Sequence, residues 1–301
     1  MRVVISGASG LIGTALSESL RGDGHTVIAL VRREAHGNDE SSWTPDQHRI
    51  DQDVIASADA VVNLAGASIG AKRLTASYKR EVLRSRIDST TTLVRAVAAA
   101  GTSPRFIQAS SMGYYGDQGD KALFETSAPG GDFLASVVRE WEEAASVAVG
   151  LGARVAYLRT GLVLSGHGGF AERLLPLVKR GLFGGFGKAT AYQSWITLHD
   201  HVRATRLLLE SNHIGPVNVI APEPVTDGQL VAALSRAYGR SPGLKVPGWA
   251  LRAVIGEAVS DLLASQRGVP AVLTELGFTW DHPTITDAAR YVADSETSHK
   301  A

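Results

Sequence analysis

Over the first half of the chain, short runs of apolar, mostly β-branched residues alternate with longer stretches in which apolar positions recur every three or four residues. Continuous apolar runs mark strands buried on both faces, and helical stretches between them make the strand connections parallel. The pattern predicts strands over Arg2 to Ser6, Thr26 to Val31, Ala60 to Leu64, Arg105 to Ala109 and Arg154 to Arg159. Helices are predicted over Leu11 to Gly22, Asp53 to Ala58, Lys79 to Ala100 and Phe133 to Gly150, with a loop from Gly37 to Pro45, where Gly, Asn, Asp and Ser gather. That order is an α/β chain with a doubly wound parallel sheet.

Turn residues Ser165, Gly166, His167, Gly168 and Gly169 close this first unit. Beyond them the pattern predicts a helix over Phe170 to Arg180, one more strand over Pro216 to Ile220, and helices over Asp227 to Tyr238, Trp249 to Ala264 and Ile285 to Val292. Gly181 to Gly187, with four glycines around Phe183 and Phe186, suits either a mobile apolar flap over a ligand or a plain surface turn. The tail from Asp294 to Ala301 is polar and expected to fray. Two domains follow, 1–165 and a smaller, mostly helical 166–301 laid over the sheet's C-terminal edge, with residues about 195–221 returning to the sheet.

Charge narrows the partners. Thirty Lys and Arg balance thirty Asp and Glu, so no broad field attracts nucleic acid or an anionic membrane, and a small molecule is the expected ligand. With no Cys among 301 residues there is no disulfide, thiolate metal site or cysteine nucleophile. Met1 to Leu20 is apolar, but Gly7, Gly10 and Gly13 interrupt it as a strand, turn and helix, not a signal peptide, and no 18-residue apolar run is present. The expected compartment is the cytoplasm.

The strongest chemical signal is Gly7-Ala8-Ser9-Gly10-Leu11-Ile12-Gly13, directly after a strand and opening a helix. Glycines there let the backbone turn tightly and approach a pyrophosphate, which free amides and the positive helix end hold. The first unit therefore reads as a Rossmann domain binding a dinucleotide through Gly7, Ser9, Gly10, Leu11, Ile12 and Gly13. At the end of the second strand, where an acid would select NAD, stand Arg32 and Arg33, which suit the 2′-phosphate of NADP(H). Leu64, Ala65 and Gly66 end another strand at the same edge, with small side chains that leave room for cofactor.

Ser110-Ser111-Met112-Gly113-Tyr114-Tyr115-Gly116 follows the next strand. Together with the glycine turn and Asn63-Leu64-Ala65-Gly66, it resembles the extended short-chain dehydrogenase/reductases, the superfamily of NAD-dependent epimerases and dehydratases. Lys79 to Thr90, Gly131-Asp132-Phe133, Trp141-Glu142, Arg159 to Leu164, Trp195 to Asp200, Pro247-Gly248-Trp249, Gly256-Glu257 and Leu276-Gly277-Phe278 resemble its atypical epimerase-family, SDR39U1-like branch. The resemblance implies a monomer or homodimer with NADP(H) contacts from Glu81, Arg86, Ser110 and Leu162, a substrate pocket bordered by Trp195 and His199, and Ser111 in the catalytic serine's position.

One expected feature is missing. Short-chain dehydrogenases use Tyr-x-x-x-Lys, whose ammonium readies the phenol for proton transfer. No tyrosine here has Lys four residues later, and Leu134 to Glu143, where the pair should fall, offers only Arg139 as a cation. Tyr114 or Tyr115 is available to supply the proton, or both are packing residues. His199-Asp200-His201 is not read as a metal site, because successive residues point apart. The expected function is an NADP(H)-dependent oxidoreductase or epimerase acting on a small carbonyl or hydroxyl compound, with a non-catalytic NADP(H)-binding sensor or scaffold as the alternative.

Overall fold

A computed structural model describes residues 1–69, 72–185, 189–244 and 263–298. Its centre is an eight-stranded sheet. In chain order the first six strands are β1 (Arg2–Ser6), β2 (Thr26–Val31), β3 (Glu40–Thr44), β4 (Arg49–Ile50), β5 (Ala60–Asn63) and β6 (Arg105–Ser111). From one edge the order runs Gly215–Val219, Arg154–Thr160, β6, β5, β1, β2, β3, β4, parallel throughout except for the β3–β4 pair. Strand order reverses between β1 and β5, and this opens a crevice at their C-terminal ends.

Helices cover both faces. On one, Val3, Ile5, Ile107, Leu158 and Val217 pack against Leu16 and Leu20 of α1 (Leu11–Gly22) and Leu208 of the Leu198–Glu210 helix. On the other, Val4, Ile28, Val61, Phe106 and Val155 meet Ile55 of α2 (Gln52–Ala56), Leu93 and Val97 of α3 (Ala76–Ala100), and Ala145 of α4 (Phe133–Gly150). Each fully buried Val, Leu or Ile contributes roughly 1.5–3 kcal/mol. A second core, with Leu164, Trp195, Leu230, Ile285 and Val292, holds the smaller C-terminal part together.

Four expectations need correction. The stretch read as a loop from Gly37 to Pro45 carries β3: its polar residues sit near the sheet edge, and Trp43, buried beside Ile28 and Leu30, anchors it. The strand placed over Arg105 to Ala109 runs on through Ser111, because its partner continues to Thr160. Besides Gly215–Val219, short strands form over Leu162–Leu164 and Trp195–Thr197, paired in parallel, and over Tyr192–Gln193 with Val225–Thr226. The last helix is Ile285–Ser298, which takes in the start of the tail; Ser295 accepts the Gly166 N–H at 3.1 Å and Lys179 pairs with Glu296. All but the last two residues of the helix expected over Trp249 to Ala264, the Pro247-Gly248-Trp249 and Gly256-Glu257 motifs, and the end of the flap at Phe186 and Gly187 lie outside the described residues. Among the described residues no helix is long and apolar enough to cross a membrane.

Candidate functional site

The crevice is built around the turn between β1 and α1. Gly7 has φ +72°, and a Cβ there would lie 2.8 Å from the backbone of Leu64, so the loop after β5 rests on this turn. At Gly13 a Cβ would lie 2.3 Å from the Gly7 carbonyl oxygen, which makes glycine obligatory where helix and turn meet. No side chain caps α1 and its first turn carries no acid. The N–H groups of Leu11, Ile12 and Gly13 therefore face the crevice without a partner among the described residues, an arrangement suited to an anion. Gly168 and Gly169, at the start of the Gly169–Lys179 helix, reach back to the Leu11 side chain, while Ser9 and Gly10 are exposed.

At the end of β2 the two arginines part. Arg33 clamps Glu40 through two 2.7 Å hydrogen bonds and donates to the Glu34 carbonyl, and this guanidinium is the main cause that holds the Glu40 carboxyl down at about 2. Arg32 is exposed and has no partner among the described residues.

Beneath the crevice lies a buried polar network. Ser6 donates to Asn63 Oδ1 at 2.6 Å, Asn63 donates to Thr90 and Gln108 at 2.9 and 3.0 Å, and Trp141 Nε1 donates to Thr90 at 3.0 Å. Arg86 lies over the Trp141 ring and donates to the Ala67 and Val82 carbonyls at 3.0 Å, so close to Gly66 that a Cβ there would come within 3.2 Å of the guanidinium carbon. Burial lowers Arg86 to about 10, which leaves it charged at neutral pH, and no carboxylate among the described residues compensates it. Glu81 points away, toward Lys72 at 3.8 Å, because five residues along a helix turn a side chain through well over a quarter circle.

Ser110 and Ser111 end β6 beside Arg159 and Thr160. Ser110 donates to Glu142 at 2.5 Å, and Glu142 takes two 2.9 Å bonds from Arg159. Ser111, half-buried, accepts the Gly113 N–H at 3.0 Å. Arg159 also donates to the Tyr115 phenol at 2.9 Å, and that phenol donates to Asn218 at 2.7 Å. Tyr115 is wholly buried, and burial pushes it up to about 12. The start of α4 is apolar: Val137 packs with Leu74, Tyr78 and Val82, and the Phe133 ring lies under Lys79.

Thr160 accepts or donates a 3.0 Å bond with His201 Nε2. His201 is fully buried on the stripe that also carries Leu198, Thr205 and Leu208, and burial lowers it to about 4 from 6.5. Between those values the unfolded chain binds a proton that the folded chain refuses, so stability falls as pH drops from 6.5 toward 4. Urea unfolding should show His201 accounting for a loss on the order of 2 kcal/mol between pH 7 and pH 5, which His201→Gln should not suffer. Equal losses in both proteins would contradict this.

Trp195 and His199 have different surroundings. Trp195 is buried in the second core, with Nε1 donating to the Glu223 carbonyl at 3.0 Å, and half-exposed His199 bonds Asp281 at 2.7 Å. His199, Asp200 and Asp281 bring three potential ligand atoms within 4.8 Å. Asp200 is already taken: it accepts the Asp281 and His282 N–H groups at 2.9 Å each and pairs with Arg203. Leu162, half-buried, follows Thr160 at the sheet edge and donates its N–H to Ser194. The structure thus joins the glycine turn, the 64–66 loop and Arg86, with Ser111 further along the same edge, and separates from them Arg33, Glu81, Tyr115 and Trp195. The sequence reading assigned Arg159 and His201 no part in the site, although a charge directly after the apolar run Val155 to Leu158 and an imidazole on an apolar helical stripe both signal them.

Residues 3–221 match the NAD dependent epimerase/dehydratase family, and residues 246–292 match a domain of unknown function, DUF1731. The chain belongs to this epimerase family. An epimerase family protein of Mycobacterium tuberculosis is 41% identical over 96% of both chains, and the human epimerase family protein SDR39U1 is 30% identical over 97% of this chain and 99% of its own. The crystal structure of human SDR39U1 (isoform 2) with NADPH superposes with a TM-score of 0.87 at 28% identity, covering 98% of this chain and 99% of that one. A nucleoside-diphosphate sugar epimerase from Corynebacterium glutamicum reaches 0.79 at 35% identity over 98% of this chain and 59% of its own.

Proposed function

We propose that this epimerase-family chain binds NADP(H) along the C-terminal edge of its sheet and transfers hydride to or from a small carbonyl or hydroxyl compound, as an oxidoreductase or epimerase. The observation that carries this reading is the uncapped first turn of α1, whose three amides face a glycine turn with no competing acid. Those amides and Ser9 would hold the pyrophosphate, with Leu64, Ala65 and Gly66 beside them and Arg86 supplying a buried cation that already donates to the Ala67 carbonyl of that loop. Arg32 would take the 2′-phosphate. Human SDR39U1, crystallised with NADPH, supports the choice of cofactor.

When bound, the nicotinamide supplies or accepts the hydride. Ser111, half-buried at the end of β6, polarises the substrate oxygen by hydrogen bonding. Residues 166–301, which include the exposed His199 and follow shortly after Leu162, would form the substrate side, and the cytoplasm, a reducing compartment, suits a chain without cysteine. The apolar cluster of Leu74, Tyr78, Val82 and Val137 at the start of α4 favours a second reading, a cofactor-bound sensor without turnover. NADPH oxidation against a panel of aldehydes, ketones and keto-sugars separates the two: turnover with any member supports hydride transfer, and tight NADPH binding with none supports the sensor.

Cofactor choice has its own test. A guanidinium that bonds a phosphate at an exposed rim favours NADPH over NADH by about tenfold. Arg32→Ala should lose that preference and leave NADH affinity unchanged in calorimetric titration, whereas Arg33→Ala should release Glu40 and change NADPH affinity less. An equal loss for both cofactors in Arg32→Ala would contradict the role.

A further inference from the structure

We propose that Tyr114 is the proton donor for this reaction, with Arg159 beneath its ring, in place of the missing Tyr-x-x-x-Lys pair. The inference rests on the hydride transfer proposed above. Met112–Tyr115 is a single 3₁₀ turn capped by Ser111. Ser111, extended at the N-cap, and Tyr114, inside the turn, are both half-buried and only three positions apart. Tyr115, the other phenol in the motif, is wholly buried and bonded to both Arg159 and Asn218. Tyr114 is half-buried, and its hydroxyl makes no hydrogen bond among the described residues.

What fixes Tyr114 is the cation. The Arg159 guanidinium carbon lies 3.5 Å from the Tyr114 ring centroid, and the guanidinium is itself locked by Glu142, Tyr115 and the Glu125 carbonyl. A guanidinium on the face of a ring steadies negative charge that develops on its oxygen. In the reductive direction the hydride from the dihydronicotinamide forms the new C–H bond, and the carbonyl π pair becomes a lone pair on oxygen. That oxygen takes the Tyr114 proton as the phenol O–H breaks, and water reprotonates the tyrosinate. The cofactor leaves oxidised and the carbonyl reduced to an alcohol.

The test combines footprinting with kinetics. Tetranitromethane should nitrate Tyr114 in the free protein and spare Tyr115, and saturating NADPH should protect Tyr114. Tyr114→Phe should cut hydride transfer by about 100- to 10,000-fold while NADPH affinity, read by calorimetry, and the melting temperature stay at wild-type values. Tyr115→Phe should lower the melting temperature with a far smaller kinetic effect. Failure to bind NADPH would overturn the hydride-transfer reading and this inference with it. NADPH binding that leaves Tyr114 nitration unchanged, or wild-type turnover by Tyr114→Phe, would overturn the assignment of the phenol alone.

Discussion

Gly13→Ala should cost NADPH affinity on the order of 100-fold. The new Cβ would lie 2.3 Å from the Gly7 oxygen and 2.7 Å from the Ala8 Cα, both backbone, so the start of α1 must move away from the turn. Displacing it misaligns the amides of Leu11, Ile12 and Gly13 together. Two charge-assisted hydrogen bonds at about 1.5 kcal/mol each correspond to roughly that factor. Gly22→Ala is the matched control, because nothing lies within 4 Å of a Cβ at the far end of the same helix. Calorimetry on both variants, with circular dichroism to confirm the fold, reads the difference. Equal affinities would show that the turn does not hold the cofactor.

Ser111→Ala should lower the hydride-transfer rate about 100- to 1000-fold and leave NADPH affinity intact. Loss of one donor to a developing oxyanion has this magnitude. The substitution also removes the acceptor for the Gly113 N–H at the start of the 3₁₀ turn, a capping loss of about 1 kcal/mol. Ser110→Ala separates the two effects: it breaks the bond to Glu142 and should lower stability without a comparable fall in rate. A Ser111→Ala protein as fast as wild type would remove Ser111 from the reaction.

Most of the sheet is legible in the sequence, because strands buried on both faces write themselves as apolar runs. Arg2–Ser6 and Thr26–Val31 have the bounds that their runs predict, and α4 spans Phe133–Gly150 between the N-cap Asp132 and the turn at Gly152. β3 is illegible for the converse reason. It lies near the edge with Ser41 and Ser42 among its residues, and one tryptophan supplies its anchor. The ends of strands are set by partners: β6 reaches Ser111 because Thr160 lies opposite, a fact of tertiary pairing absent from local pattern.

The candidate site divides in the same way. Gly7 and Gly13 are readable because close backbone approach leaves no room for a Cβ, and Gly10 completes their spacing. Arg32 and Arg33 are adjacent and chemically alike, and only the position of Glu40 on the unforeseen β3 commits Arg33 to an ion pair and leaves Arg32 open. Tyr114 and Tyr115 are equally alike in sequence. Their roles part through Asn218 and Arg159, residues 103 and 44 positions beyond Tyr115. A partner 28 positions away likewise hides Trp195, which sits in the packed core with its indole donating to the Glu223 carbonyl.

The most direct test of NADP(H)-dependent hydride transfer at this edge is a crystal structure of the protein with NADPH. The pyrophosphate should sit on the amides of Leu11, Ile12 and Gly13, the 2′-phosphate on Arg32, and the nicotinamide C4 should face a space within hydrogen-bond reach, about 3 Å, of both Ser111 Oγ and Tyr114 Oη. A nicotinamide turned away from β6, or a cofactor bound anywhere but the glycine turn, would contradict it.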